Sequence, residues 1–272
     1  MLRCVTSIAI LLVSLNLDCG ARDALEADPN DGAGGAGGAE PVPSGPLACV
    51  GSVQWPTAAT NVIELGWYVY DILSGSPVVD VEGRVCRRDD AACAEPLAVE
   101  QSDAKGTFRT SVPVGVEGFR GFGMLNKQGY VPTLVFVGKP LVASSVGDLD
   151  FRGALSTSDT VDVLYGQLDI VRDPARAIVG FVTFDCEGQP AAGLEVELDE
   201  ADASTVRYYA SNVLPDPALA ETGPEGGVLF FNAPAGPLHV TVREAGTGLV
   251  VARDDLLAVA GGFSFMQVSP TP

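Results

Sequence analysis

Residues 178–198 decide the fold and read Ile-Val-Gly-Phe-Val-Thr-Phe-Asp-Cys-Glu-Gly-Gln-Pro-Ala-Ala-Gly-Leu-Glu-Val-Glu-Leu. Apolar side chains alternate on both sides of a segment rich in Asp, Gly and Pro, which is the pattern of two strands joined by a tight turn. Residues 222–242 repeat this scheme with a second turn, a strand, a Pro-x-Gly corner and another strand. Together the two stretches predict a turn-rich β-sandwich.

A looser copy of the pattern lies in the first half of the chain. The turn from Asp71 to Pro77 matches the turn from Asp185 to Pro190, and Ser102 to Gly115 matches Thr222 to Gly236. A short insertion separates the two motifs in the second copy, and we place it at residues 208–217. Repetition of this kind predicts two sandwiches in series, each with its own core.

The second copy resembles the carboxypeptidase regulatory-like domain, a small transthyretin-like β-sandwich. The positions that fill the family pattern are Gly180, Val182, Asp185, Gly188, Pro190, Gly193, Val196, Thr222, Gly226, Phe230, Pro234 and Gly236. His239 stands near the place of the usual aromatic residue. The resemblance implies an all-β chain with two tandem transthyretin-like, carbohydrate-binding-like Greek-key sandwiches, and it is nearly silent on function.

The predicted organisation has five segments. They are a signal peptide at 1–19, a Gly/Ala/Pro-rich tether at 20–48, a first sandwich at 49–153, a linker with a short helix at 154–176, and a second sandwich at 177–270. The helix is predicted from apolar residues spaced three and four apart, from Val161 to Leu168, with Ser158 as the candidate N-cap.

The N-terminus predicts export. Its apolar run is too short to span a bilayer and is typical of a secretion signal. Cys19 follows directly and resembles the lipobox cysteine of bacterial lipoproteins, which carries diacylglycerol; Asn16 and Asp18 depart from that pattern, and ordinary cleavage after Ala21 is the alternative. The tether cannot bury enough surface to offset its ordering entropy. We expect a lipoprotein of the outer membrane or cell surface, or else a soluble periplasmic or secreted protein.

Four cysteines remain if Cys4 and Cys19 belong to the leader, and four cysteines allow three pairings. An oxidising compartment favours disulfides. The short separation of Cys86 and Cys93 favours that pair, which leaves Cys49 to bond with Cys186. The sequence has no CxxC motif, which disfavours zinc.

Charge and composition disfavour several functions. A net charge of −19 and a pI near 4.2 argue against nucleic acid as a partner, because phosphate binding requires clustered Lys and Arg. The single histidine offers little to a hydrolytic triad, and no G-x-S-x-G or H-E-x-x-H motif occurs. We therefore predict no enzymatic activity and no cofactor.

Two weak ligand sites remain as hypotheses. Trp55, Tyr208 and Tyr209 are candidates for an aromatic platform that stacks on sugars. Asp148, Asp150 and Asp159 have the spacing of a calcium loop, although Arg152 occupies a ligand position. The function we expect is a non-catalytic structural, adhesion or accessory module whose partners are a membrane, through the lipid, and an extracellular protein or glycan; a carbohydrate-binding module is the alternative.

Overall fold

The computed structural model describes residues 41–144, 151–211 and 214–272. Within these ranges the chain forms fifteen strands and one α-helix, which confirms the all-β class. In chain order the elements are β1 (Val62–Asp71), β2 (Glu82–Arg87), β3 (Ala98–Gln101), β4 (Thr107–Pro113), β5 (Gly121–Asn126), β6 (Thr133–Phe136), β7 (Phe151–Leu155), α1 (Ser158–Gln167), β8 (Ala177–Thr183), β9 (Leu194–Leu198), β10 (Val206–Ser211), β11 (Leu214–Asp216), β12 (Gly227–Ala233), β13 (Gly236–Glu244), β14 (Val250–Ala258) and β15 (Phe263–Val268).

One nine-stranded sheet forms the middle layer, in the order β11-β10-β12-β8-β15-β6-β5-β2-β3. We call β1–β7 the N-terminal repeat and β8–β15 the C-terminal repeat. The two repeats meet where β15 runs parallel to β6, with Phe263 opposite Thr133 and Met266 opposite Phe136. The middle sheet therefore contains strands from before and after the predicted linker. Both repeats share this one hydrogen-bonded layer.

Two three-stranded sheets and the helix cover the middle layer. Side chains alternate along β6, so Val135 faces the cluster that contains β1, whereas Leu134 and Phe136 face the opposite cluster. Sheet β4-β1-β7 and α1 pack on the first face, and sheet β14-β13-β9 packs on the second. The result is a sandwich-like arrangement with the shared sheet in the centre.

The two repeats use the same hydrogen bonds at equivalent turns. Ser102 accepts a hydrogen bond from the Val81 N–H through its hydroxyl oxygen and donates that hydroxyl to the Val78 carbonyl, at 2.9 and 2.8 Å. The equivalent residues in the C-terminal repeat are Thr222, Leu194 and Ala191, with the same directions and distances of 2.9 and 2.8 Å. The sequence match between the motifs thus corresponds to a match in backbone geometry.

A glycine closes each of these turns for a steric reason. Gly106 has a φ of +71° and Gly226 a φ of +65°, a region that glycine adopts at little cost. A Cβ atom would collide with the Val69 carbonyl in one repeat and with the Thr183 carbonyl in the other. The motif therefore requires glycine at this position in both repeats.

The repeats differ in how the strand after β2 and the strand after β9 are paired. In the N-terminal repeat β3 pairs with β2, whereas in the C-terminal repeat β10 pairs with β12 and β11 follows as the sheet edge. Most of the predicted insertion at 208–217 lies in this β10–β11 hairpin. The insertion therefore adds strand β11 to the edge of the middle sheet.

The helix lies where the sequence predicts it, but its cap is different. Thr157, not Ser158, is the N-cap, and its hydroxyl oxygen accepts a hydrogen bond from the Thr160 N–H at 3.2 Å. Both residue types are good caps, so the sequence alone does not decide between neighbours. The helix buries Val161 and Tyr165 against the middle sheet.

Trp67 forms the centre of the N-terminal core. It is fully buried between Phe108 and Phe151, with ring centroids at 5.3 and 4.1 Å. Tyr68 and Tyr70 consequently lie on the other face of β1, where their rings stack at 5.6 Å. Alternation along β1 thus separates the Trp67 and Tyr68 faces, as the sequence requires.

Candidate functional site

Residues 45–61, here called the strap, include the last four residues of the predicted tether, lead into β1 and contact both repeats. Leu47 is buried, and the Pro46 carbonyl accepts a hydrogen bond from the Cys186 N–H at 3.0 Å in the C-terminal repeat. The Ala58 N–H donates to the Val116 carbonyl at 2.8 Å in the N-terminal repeat. The strap therefore lies across the junction of the repeats.

Both favoured disulfides are present. Cys49–Cys186 joins the strap to the turn after β8, with the Cα atoms 5.8 Å apart. Cys86–Cys93 closes the short loop after β2, with the Cα atoms 5.4 Å apart, and both of its residues are buried. Cys49 and Cys186 are half-buried, so this bond is the more exposed of the two.

Two arginines and one carboxylate form a charged cluster beside the strap. Arg88 directly follows β2 and Arg120 directly precedes β5, and both donate to the same oxygen of Asp254, at 2.8 and 2.6 Å. The Asp254 side chain is 2% exposed, whereas Arg120 remains 31% exposed. Burial lowers the pKa of the Arg88 guanidinium, and the Asp254 carboxylate opposes that shift. The cluster therefore links β14 electrostatically to the N-terminal repeat.

Trp55 lies on this cluster. The Arg120 guanidinium stands 4.9 Å from the centroid of its ring, within the range of a cation–π contact. One face of the Trp55 ring is therefore covered by the Arg120 guanidinium. The sequence predicted Trp55 as a ligand-binding residue and did not indicate Arg120 as its partner.

The predicted aromatic platform does not form. Tyr209 is 2% exposed, and its phenol oxygen accepts a hydrogen bond from the Val196 N–H at 3.1 Å, across to the other sheet. Burial raises the pKa of Tyr209. Tyr208 points to the opposite face of β10 and packs against Phe231, whereas Trp55 lies over the charged cluster. Tyr209 was therefore wrongly assigned, because alternation on β10 turns its ring into the core.

A groove opens at the C-terminal end of α1, and Tyr208 is part of it. This α1 groove has a volume of about 460 Å³. Its lining combines apolar, acidic and small polar side chains; the residues are Leu168, Asp169, Ile170, Val171, Asp173, Ser204, Val206, Tyr208 and Asn232. Of the three aromatic residues that the sequence singled out, Tyr208 is the one that lines this cavity.

Asn232 positions one wall of the α1 groove. It lies at an irregularity of β12, has a φ of +51° and is buried. Its side-chain amide donates to the Val171 carbonyl at 2.9 Å and accepts from the Asp173 N–H at 3.1 Å, while its backbone N–H donates to the Tyr165 hydroxyl at 3.2 Å. Sequence reasoning missed this residue, although Asn within an apolar strand is the signal that marks it.

His239 is exposed and forms a pair with Glu200. Its Nδ1 lies 2.6 Å from one Glu200 oxygen, and its backbone N–H donates to the other at 2.9 Å. The hydrogen bond to Glu200 raises the pKa of His239. These two hydrogen bonds hold the loop after β9 against strand β13.

The calcium prediction is only partly covered by the described residues. Phe151–Leu155 would lie within the loop but form strand β7, and Asp159 is exposed in the first turn of α1. Five of the residues between the predicted ligands are thus strand and not loop. Asp148 and Asp150 lie outside the described residues, as do Cys19 and the signal peptide. Across the described ranges no group of His, Cys, Asp and Glu is arranged to hold a metal ion.

The membrane prediction concerns residues outside the described ranges. Within those ranges, α1 is not long and apolar enough to cross a bilayer.

Comparisons with known proteins give weak likenesses. No protein-family model and no curated protein matches the chain. The Bacillus anthracis TIE protein is 12% identical over 77% of this chain and 34% of its own, with a TM-score of 0.27. A 3-chlorocatechol 1,2-dioxygenase from Rhodococcus opacus 1CP is 14% identical over 39% of this chain and 66% of its own, with a TM-score of 0.26.

The shaft pilin SpaA from Lactobacillus rhamnosus GG is 11% identical over 79% of this chain and 99% of its own, with a TM-score of 0.24. These TM-scores are too low to support an inference about fold or function. The transthyretin-like resemblance therefore stays a prediction from the sequence.

Proposed function

We propose that the chain is a non-catalytic exported protein, in which a rigid β body is displayed at the end of an N-terminal tether anchored by lipid at Cys19. The body serves as a structural or adhesion module of the outer membrane or cell surface. Each repeat is a transthyretin-like Greek-key sandwich in this proposal, which the shared turn hydrogen bonds support.

The Cys49–Cys186 bond carries the proposal. It fixes the end of the predicted tether to the turn after β8, 137 residues away in the chain. Disulfides persist in oxidising compartments such as the periplasm and the cell surface. A bond at this point also holds the strap on the body, which suits a protein that is held from its N-terminal side.

The continuous middle sheet supports the proposal in a second way. The parallel pairing of β15 with β6 joins the repeats through backbone hydrogen bonds, and the Arg88–Asp254 pair ties them through side chains. Two sandwiches joined only by a linker move independently by default. Here the shared layer favours one body of fixed shape, as a spacer or adhesion element requires.

Intact mass spectrometry of the native protein tests the proposal. We expect diacylglycerol on Cys19 in the membrane fraction, and a gain of about four hydrogens on reduction, from the two disulfides. A Cys19→Ser variant is the matched control, and we expect it in the soluble fraction with both disulfides intact. An unlipidated wild-type chain that starts near Arg22 with free thiols would overturn the proposal.

A further inference from the structure

The walls of the α1 groove suit an aliphatic chain. Leu168, Ile170 and Val206 contribute apolar surface, and the half-buried Tyr208 contributes an aromatic ring. Val171 stands at the rim, is 89% exposed and adds apolar surface there. A long flexible side chain with a methylene stem can cover such a surface.

The groove also has an electronegative end. Asp169 and Asp173 both line it and are exposed. The C-terminal end of α1, which carries the negative pole of the helix dipole, opens into the same place and has no basic residue in its last turn. Among the described residues that line the groove, none is basic.

The nearest arginines in the chain have other partners. Arg172 donates to Asp162 at 2.6 Å, and Arg176 forms two bonds to Asp202, at 3.0 and 2.9 Å. Neither side chain lines the groove. Arg176 also donates to the Asn232 carbonyl on the groove wall, but its charge is balanced by Asp202. The lining itself is therefore net negative through Asp169 and Asp173, which disfavours an anionic ligand.

The groove wall is held in place before any ligand arrives. Asn232 bonds to the backbone on both sides of Arg172, at the Val171 carbonyl and the Asp173 N–H. The Asp173 carboxylate accepts from the Ala175 N–H at 2.9 Å, which fixes its orientation. A wall fixed in this way reduces the entropy lost on binding.

We propose that the α1 groove binds a lysine side chain of a partner protein. Its methylene stem packs on Leu168 and Ile170, and its ammonium is attracted by Asp169, Asp173 and the Tyr208 ring. The apolar walls and the aromatic ring distinguish this site from a merely acidic surface. The inference deepens the adhesion role of the proposed function by naming the partner's chemistry, yet it does not depend on Cys19 lipidation.

Titration of the full chain with short peptides, followed by amide NMR shifts, tests the inference. The probe is a capped Gly-Lys-Gly-Lys-Gly peptide, and the control is the same peptide with norleucine in place of lysine. We expect shifts at the groove residues with the lysine peptide, and binding that weakens as salt is added. Spermidine is a third arm, which separates a free polyamine from a protein side chain.

Asp169→Gly is the most informative variant. Asp169 has a φ of +55° just after the helix, where glycine is preferred, so the change preserves or raises stability while it removes the carboxylate. We expect Kd for the lysine peptide to rise about two- to fivefold. This factor corresponds to the free energy of one exposed charge pair. Asp159→Asn, at the other end of α1, is the matched control and should leave Kd unchanged.

Tyr208→Ala tests the aromatic wall in the same way. We expect Kd to rise about two- to fivefold, from loss of the cation–π contact. Tyr68→Ala is its control, since Tyr68 is a half-buried tyrosine on a strand of the other repeat.

The inference is overturned by any of three results. They are equal binding of the norleucine peptide, wild-type binding by both groove variants, and spermidine binding that is tighter than peptide binding by tenfold or more. None of these results affects the lipid and disulfide measurements of the proposed function, so the two failures are distinguishable.

Discussion

Asp254 occupies in the C-terminal repeat the position that Val135 occupies in the N-terminal repeat. Val81 and Leu194 are equivalent, and the residues four positions later, Val85 and Leu198, pair with Gly123 of β5 and Val240 of β13. Gly123 in turn pairs with Val135, and Val240 pairs with Asp254. Strand β6 joins the repeats, whereas β14 is an edge strand. Charged residues that point inward at an edge hinder pairing with other chains. The same strand position thus serves as a junction in one repeat and as a protected edge in the other.

Replacing Asp254 should destabilise the fold strongly. Asp254→Val leaves Arg88 and Arg120 close together without their shared carboxylate. We expect a loss of about 2 to 4 kcal/mol of unfolding free energy, at the low end for buried pairs because Arg120 is partly exposed. Urea denaturation of the variant and the wild type measures the difference.

A triple variant tests whether the unpaired arginine charges cause the loss of stability in Asp254→Val. Changing Arg88 and Arg120 to Met together with Asp254→Val removes all the charges and keeps apolar volume. Because burying charges is costly in itself, we expect most of the lost stability to return. A triple variant as unstable as Asp254→Val alone would show that packing, not charge, sets the cost.

The titration of His239 should report its contact with Glu200. It is the single histidine of the chain, so the signal of its ring Hε1 proton needs no separation from other histidines. The hydrogen bond to Glu200 raises its pKa, so the midpoint should lie above the usual value of about 6.5. In Glu200→Gln we expect the midpoint to fall back toward that value.

The same pair gives stability a pH dependence of known sign. Because the folded pKa of His239 is raised, its contribution is complete below the unfolded pKa and is lost as the pH rises through the folded pKa. Urea midpoints between pH 5 and 9, compared with those of His239→Gln, isolate this loss. Equal pH profiles for the two proteins would contradict the expectation.

Gly123→Ala should disrupt the N-terminal core. A Cβ atom at this position would collide with the ring of Trp67, which Phe108 and Phe151 hold on both sides. We expect a loss of about 1 to 3 kcal/mol, the usual cost of overpacking. Trp67 fluorescence and urea unfolding measure it.

Gly166→Ala is the matched control for Gly123→Ala. Gly166 lies within α1, and a Cβ atom there meets no atom within 4 Å. The change should raise stability by about 0.5 to 1 kcal/mol, since alanine favours the helix. If both variants lose stability equally, contact with Trp67 is not the cause.

The two disulfides should reduce in a fixed order. Cys49 and Cys186 are half-buried, whereas Cys86 and Cys93 are 0% and 1% exposed. Mild reductant followed by alkylation and peptide mass spectrometry should label Cys49 and Cys186 first. Labelling of Cys86 and Cys93 at the same rate would show that the core opens as readily as the strap.

The local structure could be predicted from the sequence because turns and alternation are local properties. Gly106 and Gly226 are fixed by a positive φ that glycine adopts readily, and the strand candidates follow from alternating apolar residues. The disulfide Cys86–Cys93 follows from its short separation. The order of strands in the middle sheet could not be predicted from these local patterns.

Strand pairing depends on contacts between distant residues. The insertion near Tyr208 was recognised as extra sequence, yet only the fold shows that it adds a hairpin to the edge of the sheet beside β12. The pairing of β6 with β15 has no local signal, since an apolar strand fits many neighbours. The α1 groove was missed for the same reason: Asp169 and Tyr208 come together only through the packing of α1.

The position of Cys49 also determines how the protein responds to tension. If the predicted tether anchors the protein as proposed, a pull on it would reach Cys49 and pass through the disulfide to Cys186. The force would then enter the C-terminal repeat and bypass the N-terminal repeat. A partner held in the α1 groove, which belongs to that same side of the molecule, would complete a short load path between surface and partner. Under oxidising conditions the N-terminal repeat is then mechanically shielded, and reduction would add the 137 intervening residues to the extensible length, roughly 450 to 490 Å.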